Sequence, residues 1–229
     1  MATHLDLEEQ EQLDQLKHFW SQYGNLITWV VILVLGAFAA LNGYNWWQRD
    51  QATKAGAMFD ELGKAAQAGD ADRAAALFVP LKDRYARTAF AEQGGMAVAK
   101  AQFDKGQLDN ARGTLAWVAE NATEAEYQTL ARIRLAGILL DQKKYDEALK
   151  QLDSATSKEF EALAADRRGD ILMAQGKKDE AKAAYQKAWK DMDPKIDYRR
   201  LIEAKLTALG AAPDADKSAG ATLGAEAAK

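Results

Sequence analysis

The feature that most constrains this chain is an unbroken run of apolar or small residues over positions 29–41. Extending it to residues 26–41 gives 16 residues that include a single polar side chain, Thr28. With its flanks the segment covers 22 residues, 23–44, and about 20 residues cross the hydrocarbon core of a bilayer. A core helix of a helical domain would show polar positions every few residues, so the pattern favours a transmembrane helix.

Aromatic residues stand at both ends of this run, where an interfacial belt would place them. They are Trp20, Tyr23 and Trp29 before it and Tyr44, Trp46 and Trp47 after it. A cleaved signal peptide is the alternative, because Ala37 and Ala39 form an A-x-A site. That site lies inside the apolar run, and the preceding region is long and acidic rather than short and basic. We therefore expect an uncleaved anchor.

Two properties of the anchor stay open. Lys17 on one side and Arg49 and Lys54 on the other are too few to decide orientation. A small-residue face allows close approach of a second helix, or reflects the ordinary composition of membrane helices. This anchor packing face consists of Gly36, Ala40 and Gly43.

Before the anchor, apolar residues recur at helical spacing within an acidic segment. This pattern predicts an amphipathic helix on the membrane surface, or a polar tail. The apolar residues are Leu13, Leu16, Phe19, Trp20 and Tyr23.

After Gln48 the composition is rich in alanine, leucine, lysine, glutamate and glutamine, with only three prolines and no sustained alternation, which predicts helix throughout. Residues 49–210 are nearly neutral, so no electrostatic case exists for nucleic-acid binding.

The helical part contains an internal repeat. The stretches KGQLDNARGTL, QKKYDEALKQL and QGKKDEAKAAY align without gaps, and AGDADRAAALF is a weaker copy. Each has a polar turn, an alanine, and a large residue four positions later. The alanines are Ala74, Ala111, Ala148 and Ala181. This spacing predicts antiparallel helix pairs that cross closely at the alanines.

These units resemble the tetratricopeptide repeat, which has a small residue, an alanine and a large residue at the same offsets. Gly169, Ala181 and Tyr185 match best, whereas the usual tryptophan is missing. Along nearly its whole length the chain is also similar to the ancillary SecYEG translocon subunit family of bacteria (YfgM-like). The similar features are the acidic N-terminal segment, the anchor ending in aromatics and the stretch AADRRGDILMAQGKKDEAKAAY.

This resemblance implies a single-pass protein of the bacterial inner membrane with its N-terminus in the cytoplasm and its repeat domain in the periplasm. It also implies association with the SecYEG translocon and with a membrane-anchored periplasmic chaperone of the prolyl-isomerase type. The predicted function is a protein-binding scaffold that presents the repeat domain to a chaperone or to translocating clients. The alternative is a structural envelope scaffold that self-associates through its anchor.

The sequence predicts no catalysis. It has no cysteine, and both histidines, His4 and His18, precede the anchor. The repeat region therefore lacks Cys-His and Ser-His-Asp arrangements and ordinary zinc ligands, and it has no Gly-rich phosphate loop. We expect no enzyme activity, no cofactor, no metal and no small-molecule substrate. Asp166 and Asp170 form an i, i+4 pair that we expect on a solvated helix face.

Four regions are predicted: a cytoplasmic segment over 1–24, a transmembrane helix over 25–46, a tetratricopeptide-like domain over 47–209 and a disordered alanine-rich tail over 210–229. The fold class is all-α, a transmembrane helix followed by an α-solenoid. In the resembling repeats the inner groove is lined by fixed positions of each first helix, which are either a protein-binding surface or core here. These positions include Met96, Phe103, Leu130, Ile133, Leu140, Leu163, Asp170 and Met173.

Overall fold

The computed structural model describes residues 7–213, and side chains from residue 11 onward. The chain divides into two compact units, Met1–Thr53 and Lys54–Lys229. Every secondary-structure element in the described part is helical, which confirms the all-α prediction. The predicted disordered tail covers residues 210–229, of which residues 214–229 lie outside the described residues. Within the described part of it, the N–H groups of Gly210 and Ala211 donate to the carbonyls of Thr207 and Leu206 at the end of the last helix.

The first unit consists of the N-terminal part of α1, the helix Leu7–Gln67. Apart from the half-buried Ile27, its apolar side chains are exposed from residue 26 to residue 41. An 18-residue window of α1 has a mean hydropathy of 2.2. Among the described residues, α1 is the one helix that is long and apolar enough to cross a membrane.

Two polar side chains of this apolar stretch are satisfied by the helix itself. The Thr28 hydroxyl donates to the Gly24 carbonyl at 2.7 Å, and the Asn42 amide donates to the Phe38 carbonyl at 2.9 Å. In lipid, a polar group without such a partner costs several kcal/mol, roughly. A donor of each side chain is therefore hydrogen-bonded within the helix, which lowers the cost of placing it in lipid.

The second unit is a succession of antiparallel helix pairs. It contains the end of α1 with α2 (Ala71–Arg84), α3 (Ala89–Asp104) with α4 (Leu108–Asn121), and α5 (Ala125–Asp141) with α6 (Tyr145–Asp153). A short 3₁₀ turn, Lys158–Phe160, leads to α7 (Glu161–Ala174) and α8 (Lys178–Asp191), and α9 (Arg199–Ala208) follows. Each pair packs on the next, as expected for a tetratricopeptide-like stack.

The repeat alanines lie at the helix crossings. Ala74, Ala111, Ala148 and Ala181 are all fully buried, and the large residue four positions after each of them is also buried. The small methyl group lets the two helices of a pair approach, and the large residue fills the space toward the neighbouring helices. The spacing of these residues in the sequence therefore identified the contact points correctly.

The turns between paired helices use the left-handed backbone region. Gly69, Gly106 and Gly176 have φ between +72° and +78°, each five residues before its repeat alanine. Lys143 occupies the equivalent position of the α5–α6 pair with φ +60°. Glycine adopts this conformation without a steric penalty, whereas a lysine there is strained.

Buried polar side chains fix the loops that join successive pairs. Glu92 on α3 is fully buried and accepts hydrogen bonds from the backbone N–H and the hydroxyl of Thr123, just before α5. The Thr129 hydroxyl on α5 accepts from the Ser157 N–H at 3.1 Å, before α7. Glu92 and Thr129 occupy the same repeat position, so the loops that follow two successive helix pairs are held by equivalent hydrogen bonds.

The helix ends do not coincide with the predicted boundaries. Helix α1 continues without a break through positions 24–25 and 46–47, and residues 54–67 of it belong to the repeat unit. Ala55, Leu62 and Ala65 lie in the core formed with α2 and α3. A helix can pass from water into lipid without a break in its backbone, so the helix ends do not mark the predicted transmembrane boundaries at 24–25 and 46–47. Those boundaries stay predictions.

Candidate protein-binding groove

A pocket of about 360 Å³ lies among the first helices of the pairs, α3, α5 and α7. Its apolar lining includes Leu115, Ile138 and Phe103, and the Phe103 side chain is 45% exposed. Its polar lining comes from Lys100 and Asp104 on α3, Arg134 and Asp141 on α5, and Arg167 on α7.

Of the predicted groove residues, Phe103 lines this pocket. Met96 and Ile133 do not: each is 6% exposed and belongs to the core around α4 and α5. Of the two alternatives that the sequence left open for them, a binding surface or core, their burial favours core. On α5 the pocket is lined by Arg134, Gly137 and Ile138 instead.

Four further predicted residues are half-buried and lie outside the pocket lining. Leu130 and Leu140 pack against the core of α4 and α5, Met173 packs against the core of α8 and α9, and Leu163 contacts both cores. They expose part of their apolar surface while contributing to packing. Their part in binding stays a prediction.

Asp166 and Asp170 belong to a buried ionic network, so the expectation of a solvated face is wrong. The Lys205 ammonium on α9 lies 2.8 Å from Asp166 and 2.7 Å from Asp170. Asp166 is 1% exposed. Asp170 was also predicted to line the groove, and the structure places it in this network instead. The register could not reveal the lysine, which lies 39 residues beyond Asp166.

Two tyrosines complete the network. The Tyr198 hydroxyl donates to Asp166 and the Tyr185 hydroxyl donates to Asp170, both at 2.8 Å. Burial, and secondarily these carboxylates, raise the pKa of both phenols above the ordinary value. The phenols therefore remain protonated donors at physiological pH. The network ties α9 to α7 and α8 and closes the end of the described stack.

Arg134 and Arg167 are two of the pocket residues that the sequence did not predict to line the groove. Each stands 14 residues before a repeat alanine, Ala148 or Ala181. This shared repeat position, which directly follows that of Ile133, is the feature by which they could have been recognised. It was hidden because an isolated arginine on a helical repeat is usually solvated.

The anchor face is open in the first unit. A Cβ atom built on Gly36 or Gly43 would meet nothing within 4 Å, and neighbouring apolar side chains are exposed. Close approach of another helix is therefore sterically possible along this face.

The described residues contain no cluster of three or more His, Cys, Asp or Glu side chains that could hold a metal ion.

Comparison with known proteins relates the chain to one family. The model of the tetratricopeptide repeat-like domain family matches residues 17–211. The ancillary SecYEG translocon subunit of Neisseria gonorrhoeae is 34% identical over 158 residues, 67% of this chain and 73% of the relative. The proteins of the same name from Escherichia coli and Haemophilus influenzae are 26% and 27% identical over 149 and 152 residues, in each case 64% of this chain, and 70% and 72% of the relative.

An exposed apolar helix, buried repeat alanines at tetratricopeptide spacing and these matches agree with one another. The chain belongs to the family of ancillary SecYEG translocon subunits and carries its tetratricopeptide repeat-like domain.

Proposed function

We propose that this protein is a membrane-anchored scaffold of the Sec translocon that presents its repeat domain to a chaperone or to translocating clients. The observation that carries the proposal is the combination, in one member of this family, of a candidate membrane helix and a helical-repeat domain with a partly apolar pocket. Helical repeats of this kind provide extended surfaces for protein partners. Binding, rather than catalysis, is the activity that these features support.

In the proposed topology the protein spans the bacterial inner membrane once. The N-terminal segment lies in the cytoplasm, and the repeat domain lies in the periplasm, where translocating chains emerge. A membrane-anchored prolyl-isomerase chaperone is the proposed partner on that side. The half-buried apolar residues Leu130, Leu140, Leu163 and Met173, together with Phe103, are the proposed contact surface.

We expect the protein to remain in the membrane fraction after carbonate extraction and to keep its N-terminus. About 20 predominantly apolar residues favour stable insertion. Intact-mass measurement of the purified protein should include the segment that contains His18. In spheroplasts, added protease should digest the repeat domain and leave an N-terminal tag protected. A mature chain beginning near Ala40, or a protected repeat domain, would contradict the proposed topology.

We expect translocon subunits to co-purify with the full-length protein from detergent-solubilised membranes. If the anchor packs through its small-residue face, Gly36→Leu together with Gly43→Leu should reduce their recovery severalfold, since the added side chains keep a neighbouring helix away. Val34→Leu is the matched control, because Val34 lies outside the stripe of Gly36, Ala40 and Gly43, and it should leave recovery unchanged. Self-association without translocon subunits would instead favour the structural-scaffold alternative.

A further inference from the structure

An apolar stripe on the N-terminal part of α1 lies outside the predicted transmembrane span of 25–46. Its side chains are 41% to 62% exposed. We call this stripe the N-terminal seam; it consists of Leu13, Leu16, Trp20 and Tyr23. Glu11, Asp14 and Lys17 stand on the same stretch of helix, and such charges keep it out of the hydrocarbon core. In water, an exposed apolar stripe of this kind marks a contact surface.

The N-terminal seam has the spacing of a coiled coil. Its residues follow one another at intervals of three, four and three, which are the a and d positions of a heptad. The same register continues into the span through Ile27, Val30, Val34, Ala37 and Leu41. Nearly every residue of the span is apolar, so the register is defined by the residues before it, where apolar and polar positions are separated.

Polar residues occupy the heptad positions that face away from the N-terminal seam. They are Glu11, Asp14, Gln15, His18, Ser21 and Gln22, at b, c and f. The carboxylates of Glu11 and Asp14 are among them, so two such helices would not bring these groups together. The flanking g and e positions hold Gln12 and Lys17, which lie across from each other in a parallel pair and carry no like charge.

The continuity of α1 argues against the membrane surface as the cover of the N-terminal seam. The helix runs unbroken from Leu7 to Gln67. A segment lying on the surface would have to bend sharply where the span begins, and sharp bends disturb the helical hydrogen bonds. Along a continuous helix, Leu13 lies about 18 Å before residue 25, at 1.5 Å per residue. That distance exceeds the thickness of a headgroup layer.

A second copy of this chain is the partner that matches the N-terminal seam. Anchors in one membrane hold two copies parallel and at the same depth, so a positions meet a positions and d positions meet d positions. A different protein would need its own apolar stripe at the same distance from the membrane. The pairing also leaves the anchor packing face free, because Val34 and Gly36 are two residues apart, about 200° around the helix.

We propose that the protein forms a parallel homodimer in the membrane, held by a left-handed coiled coil of the N-terminal seam that continues into the span. This inference goes beyond the proposed function, since it adds self-association to a translocon-bound scaffold. The anchor packing face stays available to a translocon helix, and the dimer brings two repeat domains into one assembly.

Cysteine cross-linking of the full-length protein in isolated membranes tests the proposal, because the chain has no cysteine of its own. Leu13→Cys and Leu16→Cys each place one thiol on the N-terminal seam. Gln15→Cys and His18→Cys are the matched controls, at similar depth but facing away from it. With an added copper-phenanthroline oxidant, the seam variants should give about fivefold or more disulfide-linked dimer than the controls, since the two Cα atoms must approach within about 7 Å.

A charge substitution tests the same contact independently. Leu13→Glu, combined with the Leu16→Cys reporter, places two carboxylates opposite each other and should reduce the cross-linked dimer about fivefold or more. Gln15→Glu with the same reporter adds the same charge at a c position and should leave the dimer unchanged. An unchanged dimer yield with Leu13→Glu would contradict the proposed seam.

Equal cross-linking of all four single-cysteine variants, or a dimer in none of them, would overturn the homodimer, since neither collision nor lipid contact has a heptad preference. A cross-linked product of any mass other than twice that of the chain would assign the N-terminal seam to another protein, with the same consequence. Recovery of translocon subunits is measured on the same membranes. If they are recovered without seam cross-linking, only the homodimer fails. Seam-specific dimers without translocon subunits would contradict the proposed function instead.

Discussion

Replacing Lys205 by methionine is expected to destabilise the repeat unit by about 3–5 kcal/mol. The ammonium lies within 2.8 Å of two carboxylates, Asp166 and Asp170, and Asp166 is nearly inaccessible to water. Methionine has a similar length but no charge, so the substitution removes the counter-ion and largely keeps the packing volume. The two carboxylates would then repel each other, with the two tyrosine hydroxyls and the Arg167 guanidinium, 3.4 Å from Asp170, as the remaining donors.

Circular dichroism of the full-length protein in detergent measures this effect as a thermal midpoint. The fall should be roughly 6–20 °C for a unit of this size. Lys187→Met is the matched control: Lys187 also pairs with two carboxylates, Asp191 and Glu161, but its side chain is 54% exposed. It should cost less than about 1 kcal/mol, because solvent screens such a pair.

A double variant separates the loss of charge balance from the loss of packing. Adding Asp166→Asn to Lys205→Met should restore part of the lost stability, since the amide carries no charge to be left buried. If Lys205→Met and Lys187→Met have equal, small effects, the network contributes no more than a surface ion pair. The importance assigned to it would then be wrong.

Replacing Gly169 by alanine is expected to destabilise the protein by about 2 kcal/mol, against the usual benefit of alanine in a helix. A Cβ at this position would lie 2.5 Å from Cδ1 and 2.8 Å from Cζ of the buried Tyr185 ring. The ring is restrained because its hydroxyl donates to Asp170. Relief of the clash would have to separate α7 from α8 or break that hydrogen bond.

Gly113→Ala provides the matched control, with the opposite sign. Gly113 is exposed on α4, and an added Cβ would meet nothing within 4 Å. The same chemical change should stabilise this helix by about 0.5–1 kcal/mol, because alanine loses less conformational entropy on folding. Thermal midpoints of the two variants should therefore move in opposite directions. A stabilised Gly169→Ala variant would show that α7 and α8 do not cross closely at this glycine.

Local sequence patterns determined the secondary structure and the repeat. An apolar run of the right length is visible without any knowledge of tertiary contacts, because insertion depends on summed side-chain hydrophobicity. The alanines of the crossings and the glycines of the turns were also visible. Few residue types allow two helices to approach closely, and few adopt a left-handed backbone. The sequence therefore indicated that Ala111 and Ala148 lie at helix crossings and that Gly176 lies in a turn.

The rotation of each helix about its own axis was decided by tertiary packing. Helix α5 is apolar on several sides, so its sequence does not show which side faces the core. Ile133 was assigned to the groove from the repeat register, yet it is buried, whereas Arg134, the next residue, lines the pocket. A rotation of one residue, about 100°, exchanges surface and core, and a degenerate repeat tolerates that difference.

The spacing of residues in the sequence also did not predict contacts between residues that are distant in sequence. Asp166 looked like a solvated acid because its partner, Lys205, is on a helix that packs back onto the end of the stack. Arg134 and Arg167 meet in one pocket because Gly137 leaves space for a side chain from another helix pair. The sequence by itself therefore determined the helices, their turns and the candidate membrane span, which depend on neighbouring residues. The tertiary structure alone decided which charges are buried and which line the pocket, because both depend on packing between separate helices.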